Sequence, residues 1–390
     1  MSKKKVLFVC GNIGANSSQG VRYRNILPFL ANEYNLFMLS YNDFFNGSNV
    51  NKIVLNNNSQ NIQKVDTSIY SKIKIEFVKI YKKTIRPFVF PDKYKYYINK
   101  YKLEVKQLLN SNDISTVVIG MTPFSLFELP QYIKSINSEI QVIVDLSDPF
   151  SLNGANNYAF IYNDKYLKNY EKERLKHVDD LIVLNPTIKK MYKETFNYKR
   201  VHVIEQGVNI EKNDINKSDY NLKQDYSMIY AGGLYHGFRE AFELYKAIDN
   251  VEKQVSLKMF GNINNYLLAK NNSNIEFFGQ IDHEKLNQEY RDSDILIFID
   301  NKEGYQVPGK ILELMAMQKP ILFIYSNNNS PTLFYINDSD FIVKVKNNAK
   351  AIIAGINQIQ KRDFRNSNRI DIDQFSWKNL IKEYKKLIND

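Results

Sequence analysis

The sequence predicts an α/β protein with two doubly wound domains, each built on a parallel sheet. Three observations predict this class: short apolar runs alternate with helical segments, the runs form two series of six, and a polar stretch separates the series. Near-continuous apolar strands of this kind are typical of parallel sheets that are covered on both faces. A chain of 390 residues, 44% of them hydrophobic, is long enough for two such cores.

The predicted strands follow one another at regular intervals. The first series is KVLFVCG, NLFMLSY, TVVIGM, QVIVDLS, DDLIVLN and RVHVIEQ, and the second is SMIYAGG, VSLKMFG, IEFFGQI, ILIFID, PILFIY and FIVKV. Helical periodicity is found between strands, for example at 239–249, 284–291 and 310–317. This alternation of strands and helices favours two Rossmann-like domains.

The polar stretch IEKNDINKSDYNLKQD marks the predicted domain boundary, with a linker at 209–225. We predict an N-terminal domain at 1–208, a second domain at 209–372 and a C-terminal helix at 373–390. This helix, FSWKNLIKEYKKLIND, is amphipathic and carries the only tryptophan, Trp377. An amphipathic helix with such a side chain is expected to pack on another part of the protein.

The composition favours a cytoplasmic protein. Cys10 is the single cysteine, so an internal disulfide is excluded and a reducing compartment is indicated. It ends the apolar run VLFVC and is expected to be a buried strand residue. No apolar run approaches the roughly 18 residues of a spanning helix, and the apolar part of the N-terminus is shorter than a signal-peptide core.

The segment 72–106 is strongly basic and aromatic, with eleven lysines and arginines, three acidic residues and eight aromatic residues. This mixture suits an anionic membrane surface, and we predict peripheral contact with the inner face of the cell membrane. The alternative, weighted equally, is a solvated helical face in a lysine-rich protein whose net charge is +11. Because no nucleic-acid-binding motif accompanies the charge, we predict no nucleic-acid partner.

Several common catalytic motifs are missing from the sequence: a Gly-x-Ser-x-Gly elbow, a Walker loop and a complete Gly-x-Gly-x-x-Gly fingerprint. The four histidines are scattered and no metal-ligand spacing is present, so we predict no metal site. Each half begins instead with a strand that ends in glycines, Gly11 and Gly14 in the first and Gly232 and Gly233 in the second. Such positions bind phosphate in doubly wound sheets, although a tight turn needs glycine in any case.

The segment VPGKILELM places a lysine and a glutamate at the start of a helix predicted to begin near Pro308. Lys310 and Glu313 are three residues apart and share one helix face. A lysine at the positive end of a helix dipole is expected where an anion such as a phosphate binds, and a glutamate can accept hydrogen bonds from two sugar hydroxyls. The alternative is a surface ion pair worth a few tenths of a kcal/mol. The preceding strand and Gly/Pro loop favour the ligand.

The ordered set of segments resembles retaining glycosyltransferases of the GT-B fold, family 4, over most of the chain. VPGKILELMAMQKPIL is similar to the family's P-x-K-x-x-E-x-M-A-x-x-K-P-I, and FFGQIDHEKLNQEYRDSDILIFID to the nucleobase-binding stretch before it. In the first half the similar segments are YEKERLKHVDDLIVLN, with Glu171 and Asp179, VHVIEQGVN, VIVDLSDPF and FPDKYKYYINK. FSWKNLIKEY resembles the helix that crosses back to the N-terminal domain. The resemblance implies two Rossmann-like domains facing a cleft.

The resemblance also implies a substrate and a set of residues. The co-substrate would be a nucleotide-diphosphate sugar of the UDP type, held by the second domain, with no cofactor. The hexose would pass to a glycan or lipid-linked acceptor in cell-surface polysaccharide synthesis. Lys310 and Arg239 would bind the diphosphate as catalytic residues, and Glu313 the ribose. The other implied donor-binding residues are Gly11, Gly14, Gly233, Gly279, Tyr305, Val307, Pro308 and Gly309.

Three departures from the family pattern affect the sugar site. Tyr305 stands where the first glutamate of an E-x7-E pair is usual, so the donor sugar is not predicted. Gly233 replaces an arginine, and Ser147 followed by Asp148 replaces a histidine. Asp148 is our catalytic candidate for contact with sugar or acceptor; alternatively it caps a turn before Pro149.

In a retaining front-face reaction the leaving phosphate oxygen accepts the acceptor's proton, so the protein mainly stabilises negative charge. A metal-independent site with preorganised cations and backbone N–H groups would suffice, in a cleft expected to close by domain rotation. Three alternatives are a non-catalytic GT-B-like partner of another transferase, a nucleotide-sugar epimerase and an NAD-dependent oxidoreductase. The incomplete glycine fingerprint argues against the last.

Overall fold

A computed structural model describes residues 3–12, 18–42, 49–56, 86–152, 158–209, 225–251, 254–263, 273–336, 339–364, 367–368 and 370–390. Two compact units are present: Met1–Gln206 with Trp377–Asp390, and Gly207–Ser376. Most of the stretch predicted as a linker, residues 210–224, and residues 72–85 of the basic segment lie outside the described ranges. Along those ranges, every helix falls short of the length and apolar character that crossing a bilayer requires.

The first unit is built on a parallel sheet in which the strand order is β3-β2-β1-β4-β5-β6-β7. The strands of this sheet are β1 (Lys5–Asn12), β2 (Asn35–Asn42), β3 (Val50–Val54), β4 (Ile114–Gly120), β5 (Gln141–Leu146), β6 (Asp180–Val183) and β7 (Val201–Val203). The order reverses between β1 and β4, which is the point where doubly wound sheets open a ligand crevice. Cys10 is buried in β1 as a free thiol, as predicted.

One strand of this sheet, β3, is missing from the predicted series. Among the described strands, it lies at the sheet edge and pairs with β2 alone. Val50 is buried, but Asn51 and Lys52 are exposed. An edge strand buries little apolar surface, so its sequence VNKIV lacks the continuous apolar run by which the other strands are recognised.

Helices flank the first sheet: α1 (Ser18–Leu30), α2 (Ile98–Ser111), α3 (Leu129–Ile136), α4 (Asp164–Leu175) and α5 (Pro186–Phe196). Asparagine side chains begin two of them. Asn163 accepts a hydrogen bond from the Tyr166 N–H, and Asn185 accepts one from the Ile188 N–H ahead of a first-turn proline. These are the residue types that satisfy the unpaired N–H groups of a first helical turn.

The C-terminal helix, α11 (Trp377–Asn389), belongs to the first unit, as the resemblance implies. Its apolar face is buried in the core that also contains residues of α1 and β1. The buried residues of this face are Trp377, Leu380, Ile381, Tyr384, Leu387 and Ile388.

A buried polar triad fastens α11 to the sheet: Arg22 of α1, Asp145 of β5 and Tyr384 of α11. Arg22 Nε lies 3.2 Å from Asp145 Oδ2 and donates to the Tyr384 hydroxyl at 2.5 Å. The Tyr384 hydroxyl donates in turn to Asp145 Oδ2. The other guanidinium nitrogens of Arg22 donate to the carbonyls of Ile204 and Glu205 at 2.8 and 2.7 Å. Because the triad is fully buried, each hydrogen bond in it replaces one to water.

The second unit has a parallel sheet in the order β10-β9-β8-β11-β12-β13, and all six predicted strands are present. Its strands are β8 (Tyr226–Ala231), β9 (Val255–Phe260), β10 (Ile275–Phe278), β11 (Ile295–Ile299), β12 (Ile321–Tyr325) and β13 (Ile342–Lys346). Its helices are α6 (Phe242–Ile248), α7 (His283–Asp292), α8 (Lys310–Ala316), α9 (Pro331–Tyr335) and α10 (Ala349–Lys361). The doubly wound α/β fold class is therefore confirmed for both units.

Two helix starts differ from the predicted positions. α6 begins at Phe242 because Tyr235 and Arg239 first pair in a tight antiparallel turn. The N–H of each donates to the carbonyl of the other, at 2.8 Å for Tyr235 and 2.9 Å for Arg239. α8 begins at Lys310 with Gly309 as its N-cap, so Pro308 precedes the helix.

Candidate functional site

The candidate site lies in the second unit, at the carboxyl ends of β8, β9, β10 and β11. Each of these strands is followed by glycine or a short polar residue: Gly232 and Gly233, Gly261, Gly279, and Asp300 and Asn301. Two backbone bonds tie the glycines together, from the Gly232 N–H to the Phe260 carbonyl at 2.9 Å and from the Gly261 N–H to the Gly279 carbonyl at 3.3 Å. The sheet edge is thus lined by closely packed backbone.

Gly261 is a member of this edge that sequence reasoning missed. Its φ is +124°, and a Cβ there would lie 2.4 Å from the Gly232 carbonyl oxygen. Gly279, by contrast, has room for a Cβ, with no atom of the described residues within 4 Å. Glycine at 261 is therefore required by both backbone conformation and space.

We expect Gly261→Ala to destabilise the second unit by about 1–3 kcal/mol, because a side chain at this φ is strained and meets backbone. The measurement is urea unfolding followed by far-UV circular dichroism, because the only tryptophan, Trp377, lies in the first unit. Gly279→Ala is the matched control and should leave the unfolding midpoint nearly unchanged. Equal midpoints for the two variants would contradict the prediction.

Asn301 holds the Arg239 side chain at this edge of the sheet. Arg239 Nη2 donates to Asn301 Oδ1, and Asn301 is itself buried. Arg239 Nε is buried and makes no hydrogen bond to any residue in the described ranges. The adjacent Tyr230 hydroxyl donates to the Gly233 carbonyl at 3.1 Å. The arginine side chain is therefore held in a fixed position.

Asp300 organises the loop that carries Asn301. It accepts hydrogen bonds from the Ser330 hydroxyl, from Thr332 Oγ1 at 3.0 Å and from the Asn301 N–H at 2.9 Å. Burial raises the pKa of Asp300, and these hydrogen bonds counteract the rise. Neither Asp300 nor Asn301 was singled out from the sequence, although Asp300 ends the predicted strand ILIFID and Asn301 follows it.

Lys310 and Glu313 meet in the first turn of α8. Lys310 Nζ donates to Glu313 Oε2 at 2.6 Å, and it lies 5.2 Å from the centre of the Tyr290 ring. His283 Nε2 lies 4.0 Å from the same glutamate oxygen. This is the surface ion pair weighed as the alternative to ligand binding, and a bound diphosphate would have to compete with Glu313 for the lysine.

The loop before α8 is tied to the turn that carries Arg239. The Lys302 N–H donates to the Phe238 carbonyl at 2.9 Å. Tyr305 is exposed, and Val307 packs against the core of the unit. Pro308 and Gly309 are half-buried, and their carbonyls accept from the first N–H groups of α8. The structure thus brings Arg239, this loop and the Lys310–Glu313 pair to one side of the second sheet.

The predicted site residues of the first unit have different surroundings. The Gly11 N–H donates to the Thr122 carbonyl at 3.1 Å, and a Cβ at Gly11 would lie 2.0 Å from Pro123 Cδ. Glycine is therefore needed there for close packing of β1, whatever it contacts in a complex. Asp148 is half-buried just after β5, and Gly14 lies outside the described residues.

Glu171 and Asp179 of the first unit make structural contacts. Glu171 is fully buried and accepts hydrogen bonds from Tyr192 and from the Ser151 N–H and hydroxyl. Burial raises its pKa, and these hydrogen bonds counteract the rise. Asp179 accepts from the Val142 N–H and pairs with Lys134, both at 2.7 Å. Among the described residues, no three His, Cys, Asp or Glu side chains form a group able to hold a metal ion.

Residues 225–362, which lie in the second unit, match the family model described as glycosyl transferases group 1. The chain is 26% identical to an uncharacterized glycosyltransferase of Methanocaldococcus jannaschii, over 57% of this chain and 61% of that protein. The match therefore spans less than two thirds of the relative's length.

Two solved structures share the fold of the whole chain. A glycosyltransferase from Rickettsia africae has a TM-score of 0.64 at 16% identity, and the match covers 100% of each chain. Anabaena HepE, solved with UDP and glucose, has a TM-score of 0.60 at 11% identity, with 99% of each chain covered. Together these matches confirm the resemblance to GT-B glycosyltransferases.

Proposed function

We propose that this chain, which has the GT-B fold and a group 1 glycosyl transferase domain in its second unit, transfers a sugar with retention of configuration. The donor would be a nucleotide-diphosphate sugar and the acceptor a glycan, free or linked to a lipid. The observation that carries the proposal is the Lys310–Glu313 pair at the start of α8, on the same side of the sheet as Arg239. This constellation lies within the residues that match the family.

Lys310 and Arg239 are proposed to neutralise the charge that develops on the leaving diphosphate. Arg239 suits this role because Asn301 fixes its guanidinium at the carboxyl ends of the strands. Fixed donors of this kind stabilise a transition state without having to reorganise during the reaction. Two cations at one diphosphate also support a reaction that is independent of metal ions.

Glu313 is proposed to accept hydrogen bonds from the ribose hydroxyls once Lys310 has turned to the diphosphate. A carboxylate with two oxygens can accept from two neighbouring hydroxyls. The acceptor's proton would pass to the leaving phosphate oxygen, so no side chain has to act as a general base. Asp148, Gly11 and Gly14 of the first unit remain the proposed contacts for the transferred sugar or the acceptor.

A UDP-type donor and a polysaccharide product are the finer parts of the proposal. The complex of Anabaena HepE with UDP and glucose supports uracil as the first nucleobase to examine in the donor. Tyr305 occupies the position where a sugar-binding glutamate is usual in the resembling family, so several donor sugars have to be compared.

The test is a calorimetric screen of UDP and GDP sugars, followed by product analysis by NMR. We expect one nucleotide sugar to bind and to be slowly hydrolysed, with its anomeric configuration retained in the sugar released. No binding of any nucleotide sugar would overturn the proposal and favour a non-catalytic partner of another transferase. Conversion of the donor into its epimer without hydrolysis would favour a nucleotide-sugar epimerase.

A lipid-linked acceptor would place the protein at the inner face of the cell membrane, and the described part of the basic segment supports this. Four lysines lie 5.2–5.8 Å from the centres of tyrosine rings: Lys93, Lys95, Lys100 and Lys102. Stacked in this way, the lysine stems cover apolar ring surface while their charges stay at the protein surface.

A further inference from the structure

A tight turn of the first unit carries two large apolar residues at its tip. The Tyr162 N–H donates to the Ala159 carbonyl at 2.8 Å, which closes a β-turn around Phe160 and Ile161. Phe160 is 87% exposed and Ile161 is 49% exposed. Central turn positions usually carry Gly, Asn, Asp, Pro or Ser, so neither turn chemistry nor core packing explains this pair.

Two further exposed aromatic residues adjoin the turn. Phe88 is 53% exposed and Tyr166 is 43% exposed. The Ala159 N–H donates to the Pro87 carbonyl at 2.9 Å, which holds the turn against the segment of Phe88. We name Phe88, Phe160, Ile161 and Tyr166 the aromatic tip. Contiguous exposed apolar residues of this kind mark an interaction surface, whereas isolated ones do not.

The aromatic tip stands on a packed aromatic base centred on Phe90. The Phe90 ring stacks on Tyr162 with 4.6 Å between centroids and meets Tyr166 and Tyr170 edge-on at 5.4 and 4.8 Å. The Tyr158 hydroxyl donates to the Pro91 carbonyl at 2.7 Å. Contacts on several sides already order the side chains of this base. Little of their conformational entropy is therefore lost when the aromatic tip contacts another surface.

Lysines line the helix that follows the tip. Lys165, Lys168 and Lys172 are spaced three and four residues apart and therefore share one face of α4. They line a groove of about 450 Å³. A second groove of about 670 Å³ runs along the turn and shares Asp164 and Lys165 with the first. The aromatic tip and the lysine face of α4 thus form one continuous surface.

We propose that this surface is an interfacial membrane anchor, in which the aromatic tip enters the headgroup region of an anionic bilayer. The lysine face of α4 would contact the lipid phosphates. The combination fits a bilayer because aromatic and aliphatic side chains partition into the headgroup boundary while lysines are attracted to anionic lipid. The proposal goes beyond sugar transfer and does not depend on it. It shares Phe88 with the contact predicted for 72–106, but it extends the contact to α4 and assigns insertion chiefly to Phe160 and Ile161, which lie outside that segment.

The experiment is co-sedimentation of the full chain with sucrose-loaded vesicles of phosphatidylcholine alone or with 30% phosphatidylglycerol. We expect Phe160→Ser/Ile161→Ser to lower the partition coefficient on anionic vesicles at least about tenfold. Lys165→Gln/Lys168→Gln/Lys172→Gln should lower it by about tenfold to a hundredfold on anionic vesicles and have little effect on neutral ones. Phe29→Ser, at a 49% exposed residue near the end of α1, is the matched control and should bind like the wild type.

Absence of vesicle binding by the wild type, or wild-type binding by the double serine variant, would overturn the proposal. Self-association that the double variant abolishes, in the absence of vesicle binding, would assign the tip to a second copy of the chain instead. A separate variant tests the basic segment, with four lysines changed together to Gln: Lys93, Lys95, Lys100 and Lys102. Nucleotide-sugar binding without vesicles should be equal in all variants, so failure of the anchor and failure of sugar transfer give different results.

Discussion

Replacing Lys310 by alanine is expected to lower kcat for sugar transfer by about 10²–10³, with a smaller change in KM. The reason is that Lys310 Nζ would stabilise the negative charge of the leaving diphosphate, which is larger in the transition state than in the bound donor. In the structure this nitrogen is held 2.6 Å from Glu313 Oε2. Steady-state kinetics with the donor identified by the calorimetric screen provide the measurement.

Lys350→Ala is the control for the loss of one positive charge, since Lys350 is exposed on α10 of the same unit. It should keep wild-type kinetics. Glu313→Ala is expected to act mainly through a higher KM, because the ribose contact exists in the ground state as well. Full activity in both Lys310→Ala and Glu313→Ala would show that the site assignment is wrong.

Replacing Arg22 by alanine is expected to reduce the free energy of unfolding of the first unit by about 3–5 kcal/mol. The change leaves Asp145 buried without its cation, 3.2 Å from where Arg22 Nε had been, and it leaves the carbonyls of Ile204 and Glu205 without their donors. An uncompensated buried charge is the most costly defect that one substitution creates in such a triad. Thermal and urea unfolding followed by Trp377 fluorescence measure the effect.

Lys193→Ala serves as the matched control, because Lys193 is an exposed cation on α5 of the same unit. It should change the free energy of unfolding by no more than about 0.5 kcal/mol. Tyr384→Phe removes one hydroxyl from the triad and should fall between the two, at about 1–3 kcal/mol. An Arg22→Ala protein as stable as Lys193→Ala would mean that the triad contributes nothing to docking of α11.

The strands of both units could be predicted because burial on both faces imposes a near-continuous apolar run. β3 escaped prediction because an edge strand is free of that constraint, and its exposed residues Asn51 and Lys52 are polar. The start of α6 was misplaced for a different reason. Arg239, the first residue of the predicted helix, instead forms backbone hydrogen bonds with Tyr235. Helical periodicity does not reveal such a local turn.

The site could be predicted from the sequence only where its residues lie close together in the chain. The Lys310–Glu313 pair is three residues apart, so helical spacing alone brings the side chains together. Asn301, which holds Arg239, lies 62 positions away in the chain, and Ser330 lies 30 positions from Asp300. No periodicity connects residues at such separations, and only the order of strands in the sheet brings them to one edge.

The position of α11 has a consequence for synthesis of the chain. The first unit combines Met1–Gln206 with Trp377–Asp390, so the whole of the second unit is translated between its two parts. During that interval Arg22 and Asp145 lack Tyr384, and the core face that α11 will cover remains open. The second unit, which is continuous in sequence, can fold first on the ribosome. A premature stop before Trp377 would therefore yield a complete second unit joined to a first unit that lacks α11.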